Sequence, residues 1–286
     1  MKRLLLLHVA LLSACVAPLP PPPAFQEPMP PPPVMTQAEA PPDFTPAPEA
    51  PVDSPATHRH VRPLMGGQAW LHEFEAGGAA WQVVVLDARH NTLRVVDQPD
   101  SWGGGGAIDD VLDASGAIAG VNGGFFSTTF EPLGLMIASG RRTGAWQANK
   151  LLTGSLVVSQ GVPRLVWNAE DRREAGASDF LQAGPRLVDA GRPMTSLDRT
   201  KNAARSFIAT NGGHLWAIGV VRSTSLAELG RLLAMRSLIP GFAVNRALNL
   251  DGGRSSAIHA RLSDGSTITE PGWSTVRNYV AVMPLR

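Results

Sequence analysis

Proline is concentrated in one segment of this 286-residue chain, and that segment cannot contribute to a packed core. Sixteen of the 25 prolines lie between Pro18 and Pro55. Proline at this density favours an extended polyproline II backbone. We therefore predict a disordered tether over residues 16–62, which at about 3.1 Å per residue could reach on the order of 140 Å. The remaining residues, 63–286, are enough for one globular domain.

The first fifteen residues have the composition of an export signal. A basic start, Met1-Lys2-Arg3, precedes an apolar segment over 4–12 that is too short to span a bilayer as a mature helix. The sequence Leu-Ser-Ala-Cys at 12–15 is similar to the cleavage and lipidation box of bacterial lipoproteins. We predict a signal peptide over 1–15 and a lipid on Cys15, which would anchor the protein on the periplasmic side of the cell envelope, at the outer membrane. The alternative is an ordinary secretory signal with an incidental cysteine.

Charge and cysteine content exclude several classes of partner and cofactor. The net charge of +1 argues against a nucleic-acid partner. Cys15 is the only cysteine, so neither an intramolecular disulfide nor a cysteine-rich zinc site can form. The histidine and carboxylate spacing of a metalloprotease is also missing. We expect no cofactor and no metal, and we expect membrane contact only through a lipid on Cys15.

Short segments rich in valine, isoleucine and leucine predict many strands. They cover residues 81–86, 92–96, 133–138, 155–159, 162–167, 206–210, 215–221, 248–250 and 279–283. A helix is predicted over 107–114. A second helix is predicted after Ser225, which forms a capping box with Glu228, and Pro240-Gly241 is expected to end that helix. Many strands and few helices predict an α+β domain in which a few helices pack on a mixed β-sheet core.

Two apolar segments, 118–126 and 246–257, end in polar turns rich in glycine. Glycine allows a tight turn and lets backbone N–H groups approach an anion. Asp251 follows one strand and is placed to act on a ligand, although it could instead form an Asx turn or a cap. Asn122 follows the other strand, and its alternative is a plain Asn-Gly turn. The shared pattern predicts one site built from both turns.

Arginines and serines near these turns could bind phosphate. Arg186, Arg205 and Arg277 each border an apolar segment, and the guanidinium fork matches phosphate oxygens. The alternative for each arginine is a solvated surface residue. Ser255 and Ser256 resemble a nucleophile elbow, but the last histidine follows only four residues later, which disfavours a serine triad. We expect these serines to hydrogen-bond a phosphate or to support the turn.

Several short blocks of the sequence occur in a recognisable combination. They are 120–126, 132–135 with 139–141, 182–188, the Arg-x-x-Ile block 205–208, 250–256, and Arg277-Asn278. Together these blocks resemble the phosphodiester glycosidase family over roughly residues 80–285. Ala209 and Arg254 stand where many members have glycine, and the bulk of Arg254 leaves the identity of the substrate open.

The resemblance implies hydrolysis of the bond between a sugar's anomeric carbon and a phosphodiester oxygen. It implies a catalytic set of Asp251, Asn122 and Glu131. Asp251 would activate water or attack the anomeric carbon, and Glu131 is the nearest candidate for a second carboxylate. The implied binding set for the phosphorylated glycan or sugar phosphodiester is Arg186, Arg205, Arg277, Gly123, Gly124, Gly252, Gly253, Ser255, Ser256 and Asn278. The main alternative is a non-catalytic envelope module that holds a phosphorylated glycan in the same cleft. A phosphatase is a less favoured alternative, because the sequence shows no cluster of carboxylates that could bind a metal.

Overall fold

A computed structural model describes residues 56–98, 106–170 and 174–285. The predicted signal peptide, Cys15 and the predicted tether up to residue 55 lie outside these residues. The described part contains eighteen β-strands and two α-helices of eight residues each. The prediction of a sheet-dominated fold with few helices is therefore confirmed.

The largest sheet has eight strands in the order β1-β2-β3-β14-β13-β15-β11-β12. Strand β1 covers six residues that the sequence assigned to the tether, and it pairs with β2. The strands of this sheet are β1 Thr57–Pro63, β2 Ala69–Ala76, β3 Ala79–Asp87, β11 Arg186–Asp189, β12 Arg192–Pro193, β13 Ala203–Thr210, β14 Leu215–Thr224 and β15 Arg246–Asn249.

Two five-stranded sheets lie in the orders β7-β6-β10-β8-β9 and β17-β16-β5-β18-β4. Their strands are β4 Asn91–Asp97, β5 Ala119–Asn122, β6 Met136–Ala138, β7 Arg141–Thr143, β8 Gly154–Ser159, β9 Val162–Trp167, β10 Asp179–Ala183, β16 Ile258–Arg261, β17 Thr267–Glu270 and β18 Asn278–Pro284.

The prediction of a mixed β-sheet is wrong. Every pair of strands within the described residues is antiparallel, and the strands form three sheets. Antiparallel neighbours need only a short turn between them, whereas parallel neighbours need a crossover of about a dozen residues or more. With only two helices among the described residues, short turns join most consecutive strands.

The eight-stranded sheet is covered on both faces, which explains the continuous apolar sequence of its central strands. In β3, Val84 and Leu86 contribute to one hydrophobic cluster, shared with strands of the smaller sheets. Trp81, Val83 and Val85 contribute to the other cluster, which includes the second helix. The alternation of side chains along a strand therefore sends successive residues into two different cores.

Helices α1 Ile108–Ser115 and α2 Leu226–Leu233 each bury one apolar side. The predicted cap of α2 is confirmed, because the Ser225 hydroxyl accepts the N–H of Glu228 at 3.2 Å. The Glu228 carboxylate binds Arg231 one turn later. Helix α2 ends at Leu233, well before the predicted stop at Pro240. Neither described helix has the length and apolar composition that a membrane span requires.

Buried His72 on β2 predicts a loss of stability in acid. Its side chain is 1% exposed, and neither ring nitrogen has a hydrogen-bond partner within the described part of the chain. Burial, together with the charge of Arg59, lowers the pKa of His72 from 6.5 to about 4. The unfolded chain takes up a proton near pH 6.5 and the folded chain only near pH 4. Stability therefore falls between these values by about 3 kcal/mol, at about 1.4 kcal/mol per pKa unit.

His72→Leu is expected to remove most of this pH dependence. Urea unfolding at pH 7 and pH 4.5 would measure it, with the exposed His90→Gln variant as the control that keeps the wild-type difference. Equal losses of stability in wild type and His72→Leu would contradict the assignment.

Candidate active site

The two glycine-rich turns lie side by side, although 129 residues separate Asn122 from Asp251 along the chain. The Asn122 side-chain amide donates to the Asp251 carbonyl at 2.7 Å. The Asp251 N–H in turn donates to the Gly123 carbonyl at 3.0 Å. The prediction that these turns meet is confirmed, and they join a five-stranded sheet to the end of β15.

Asn122 holds this junction together from a fully buried position. Its side-chain oxygen accepts the Ser206 hydroxyl at 2.5 Å and the Ala257 N–H at 3.1 Å. The Ser206 hydroxyl also lies 3.2 Å from the Ser256 hydroxyl. One amide therefore connects β5, β13 and both sides of the Asp251 turn, and its contacts are with protein groups.

The Asp251 carboxyl is partly buried and hydrogen-bonded at the start of the 3₁₀ turn Gly253–Ser255. Burial raises its pKa above the ordinary value, and hydrogen bonds from the Ser255 side chain and the Gly252 N–H offset part of this rise. The Gly252 N–H donates to Oδ1 at 2.8 Å, so Asp251 also makes the local turn contact that the sequence left open. A raised pKa makes the ionised carboxylate a stronger base than an ordinary aspartate, which favours a role in proton transfer.

Three of the four glycines predicted to bind phosphate use their N–H groups inside the protein. Gly123 donates to the Asn278 carbonyl and Gly124 to the Asn278 side-chain oxygen, each at 2.8 Å. Gly252 donates to Asp251, as described above. A Cβ added at Gly123 would overlap the Asn278 side chain, so glycine is required there for close packing. Gly253 differs, because its φ is 65° and no protein atom lies within 4 Å of an added Cβ.

Arg277 is engaged by neighbouring protein groups and is only 3% exposed. Its guanidinium donates to Asp97 at 2.7 and 3.3 Å and to the Phe130 carbonyl at 2.7 Å. Glu131, whose side chain is 64% exposed, approaches Arg277 at 3.7 Å. The structure therefore brings Glu131 to Arg277, and the predicted phosphate contact of Arg277 competes with a buried ion pair.

Arg205 on β13 and Arg186 on β11 belong to the same sheet as β15, the strand that leads into the Asp251 turn. Cδ of Arg205 is 3.7 Å from a Cβ added at Gly252, and its guanidinium donates to the carbonyls of Thr224 and Lys201. Burial lowers the pKa of Arg205, and the charge of Asp198 partly opposes this effect. Arg186 pairs with Leu248 of β15, and its guanidinium lies 5.4 Å from the Trp167 ring.

This arrangement coincides with the match to a known family. The phosphodiester glycosidase family model matches residues 115–283, which include both turns and all three predicted arginines. The chain belongs to this family. No curated protein sequence matches the chain.

This chain is also similar to several solved structures, and at their low sequence identity the similarity concerns the fold alone. The catalytic domain of zebrafish N-acetylglucosamine-1-phosphodiester alpha-N-acetylglucosaminidase, auto-inhibited by its pro-peptide, is 13% identical with a TM-score of 0.54, over 83% of this chain and 86% of that one. A hypothetical protein from Synechocystis is 14% identical with a TM-score of 0.52, over 76% of this chain. This chain spans 62% of the length of the Synechocystis protein.

Two residues that contact the candidate site were not predicted from the sequence. Asn249, at the end of β15, donates to the Gly184 carbonyl at 2.9 Å and links the Gly-Pro block to the Asp251 turn. The sequence feature that could have identified Asn249 is a polar side chain between two leucines, in the segment Leu-Asn-Leu. Asp97 binds Arg277 across 180 residues, and nothing in the local sequence indicates that pair.

Proposed function

We propose that this family member hydrolyses the glycosidic bond of a sugar-1-phosphodiester in the bacterial cell envelope. The observation that carries the proposal is the 2.7 Å contact between Asn122 and the Asp251 carbonyl. It fixes a carboxyl with a raised pKa at the junction of the two family turns. Such a carboxyl, held by the fold, meets the first requirement for glycosidic hydrolysis.

The chemistry needs little help at the leaving group. A phosphate ester departs more easily than an alcohol, so a strong general acid is less important than charge stabilisation on the phosphate. Asp251 would accept a proton from water as the water oxygen attacks the anomeric carbon, or would attack that carbon itself before water releases the sugar. In both cases the bond from the anomeric carbon to the phosphate oxygen breaks, and its electrons leave with the phosphate.

We assign the remaining residues by their contacts. Asn122 is a positioning residue, because its buried amide holds the Asp251 turn. Arg205, Arg186 and the open turn at Gly253 with Ser255 are the proposed phosphate-binding groups. Arg277 positions the Phe130–Glu131 segment, which keeps Glu131 as the candidate second carboxylate. Ser256 and Asn278 support the two turns.

The proposed location follows from the sequence of the first fifteen residues. A lipid on Cys15 and the proline-rich segment would hold the enzyme near envelope glycans that carry phosphodiesters.

A panel of sugar-1-phosphodiesters tests the function. The methyl phosphodiester of N-acetylglucosamine-1-phosphate is the first member, because the zebrafish relative's name specifies that linkage. Release of free sugar and methyl phosphate from at least one member is expected. Saturable binding with no product would favour the non-catalytic module instead.

A further inference from the structure

Trp273 is 80% exposed, the most exposed of the large apolar side chains in the described part of the chain. It lies in the seven-residue segment 271–277 between β17 and β18. Single apolar residues on a surface are common and need no explanation by themselves. Trp273 is distinguished by its connection to the Asp251 turn.

The backbone around Trp273 is attached directly to the proposed catalytic turn. The Trp273 N–H donates to the Arg254 carbonyl at 2.6 Å. A Cβ added at Gly272 would lie 3.1 Å from the carbonyl oxygens of Arg254 and Ser255, so glycine lets the two segments pack closely. The backbone that carries the indole is therefore held against the 3₁₀ turn that follows Asp251.

A short path of side chains leads from Trp273 to the Asp251 carboxyl. The hydroxyl of Ser274 lies 3.5 Å from that of Ser255. The Ser255 side chain in turn hydrogen-bonds the Asp251 carboxyl. A cleft of about 290 Å³ opens beside these residues, with Tyr279, Ala257 and Ile108 among its apolar lining and Ser274 among its polar lining. The cleft thus presents an apolar surface and the Ser274 hydroxyl, and Ser255 connects that hydroxyl to the Asp251 carboxyl.

The far end of the segment is also held in place. The Gln98 side chain donates to the Val276 carbonyl at 3.1 Å, and the Gln98 N–H donates to the Arg277 carbonyl at 2.9 Å. A binding surface that is ordered before the ligand arrives loses less conformational entropy on binding. The exposed indole is therefore presented by a segment that is anchored at both ends.

We propose that Trp273 is the stacking surface for the sugar ring of the substrate, the ring whose anomeric bond Asp251 attacks. The inference rests on the proposed function and adds a specificity-determining residue to it. A pyranose ring has one face of C–H groups that packs on a flat indole through dispersion and apolar burial, while its hydroxyls point outward. Ser274 and nearby backbone groups can hydrogen-bond those hydroxyls.

The test uses sugar-1-phosphodiesters with methyl as the aglycone, so that the substrate contains one ring only. Trp273→Ala is expected to raise KM about tenfold, equivalent to about 1.4 kcal/mol, with kcat within about twofold of wild type. Trp273→Phe is expected to keep most of the affinity, because a flat ring remains. Val162→Ala, at an exposed apolar residue on β9 in another sheet, is the matched control and should leave KM unchanged.

Calorimetric titration of the same compounds into Asp251→Asn, with and without Trp273→Ala, measures binding without catalysis. If Trp273→Ala turns over substrate with the wild-type KM, and if it does not change the affinity of Asp251→Asn, the stacking role is overturned and the proposed activity stands. Binding that depends on Trp273 without any turnover by the wild type would overturn the activity and support the stacking role. If the wild type neither binds nor cleaves any member of the panel, both proposals fail.

Discussion

Asp251→Asn is expected to abolish the release of free sugar, lowering kcat by at least about a thousandfold while the domain stays folded. The amide has the shape of the carboxyl, and its oxygen can still accept the Gly252 N–H that binds Oδ1 at 2.8 Å. It cannot take a proton from water or form a covalent bond to the anomeric carbon. A discontinuous assay of free sugar from the methyl phosphodiester panel would measure the loss.

Asp264→Asn provides the control for this substitution. Asp264 is exposed in the turn between β16 and β17, where it binds Ser266, and its variant should turn over substrate normally. Near-normal turnover by Asp251→Asn would remove Asp251 from the mechanism. Loss of turnover in both variants would show that the assay reports a general effect of the mutations.

The same substitution is expected to stabilise the domain at neutral pH. Burial raises the pKa of Asp251 in the folded state, so ionising this carboxyl costs more in the folded protein than in the unfolded chain. The contribution of protonated Asp251 to the free energy of unfolding is complete below the pKa that Asp251 has in the unfolded chain. It is lost as pH rises through the pKa that Asp251 has in the folded protein. Asp251→Asn should therefore unfold at higher urea concentration than wild type at pH 7, and the difference should shrink in acid.

Activity should also depend on the titration of Asp251, but it should require the ionised form, whereas stability favours the protonated form. An ionised Asp251 is required, so the acid limb of the kcat/KM profile should lie above the pH at which an ordinary aspartate titrates. The cause is the burial that raises its pKa. Thus the burial that destabilises the ionised folded state would also make the carboxylate a stronger base than an ordinary aspartate.

Local patterns were enough to predict nine of the eighteen described strands and the meeting of the two turns. Strand β9 covers Val162–Trp167, the segment predicted from its apolar residues alone. The contact between the Asn122 and Asp251 turns was predictable because each turn ends an apolar strand with the same polar and glycine-rich sequence. A local signal of this kind specifies what an element is and where it ends.

The partners of the site residues could not be predicted in the same way. Arg277 looks like an anion ligand at a strand edge, yet Asp97 neutralises it from 180 residues away. The N–H groups of Gly123 and Gly124 look free in the sequence, but Asn278 accepts both. Such assignments depend on strand order and register, which long-range packing decides. Family membership identifies the blocks, and only the fold shows which of their donors remain available.

Asn122→Ala is expected to lower both stability and activity. The substitution leaves the Ser206 hydroxyl, the Ala257 N–H and the Asp251 carbonyl without the amide that binds them. Each buried polar group left unpaired costs about 1–3 kcal/mol, so the free energy of unfolding should fall by about 3 kcal/mol or more. Urea unfolding followed by circular dichroism would measure this loss.

Ser206→Ala separates the stability effect from the positioning effect. It removes one donor to the Asn122 side-chain oxygen but keeps the bond from Asn122 to the Asp251 turn. Assayed at a temperature where both variants remain folded, Ser206→Ala should keep most of the wild-type kcat, whereas Asn122→Ala should lose at least about tenfold, because the Asp251 turn is no longer held. A folded Asn122→Ala variant with the wild-type kcat would show that the reacting carboxyl needs no such support, and Asn122 would then be a residue of the fold alone.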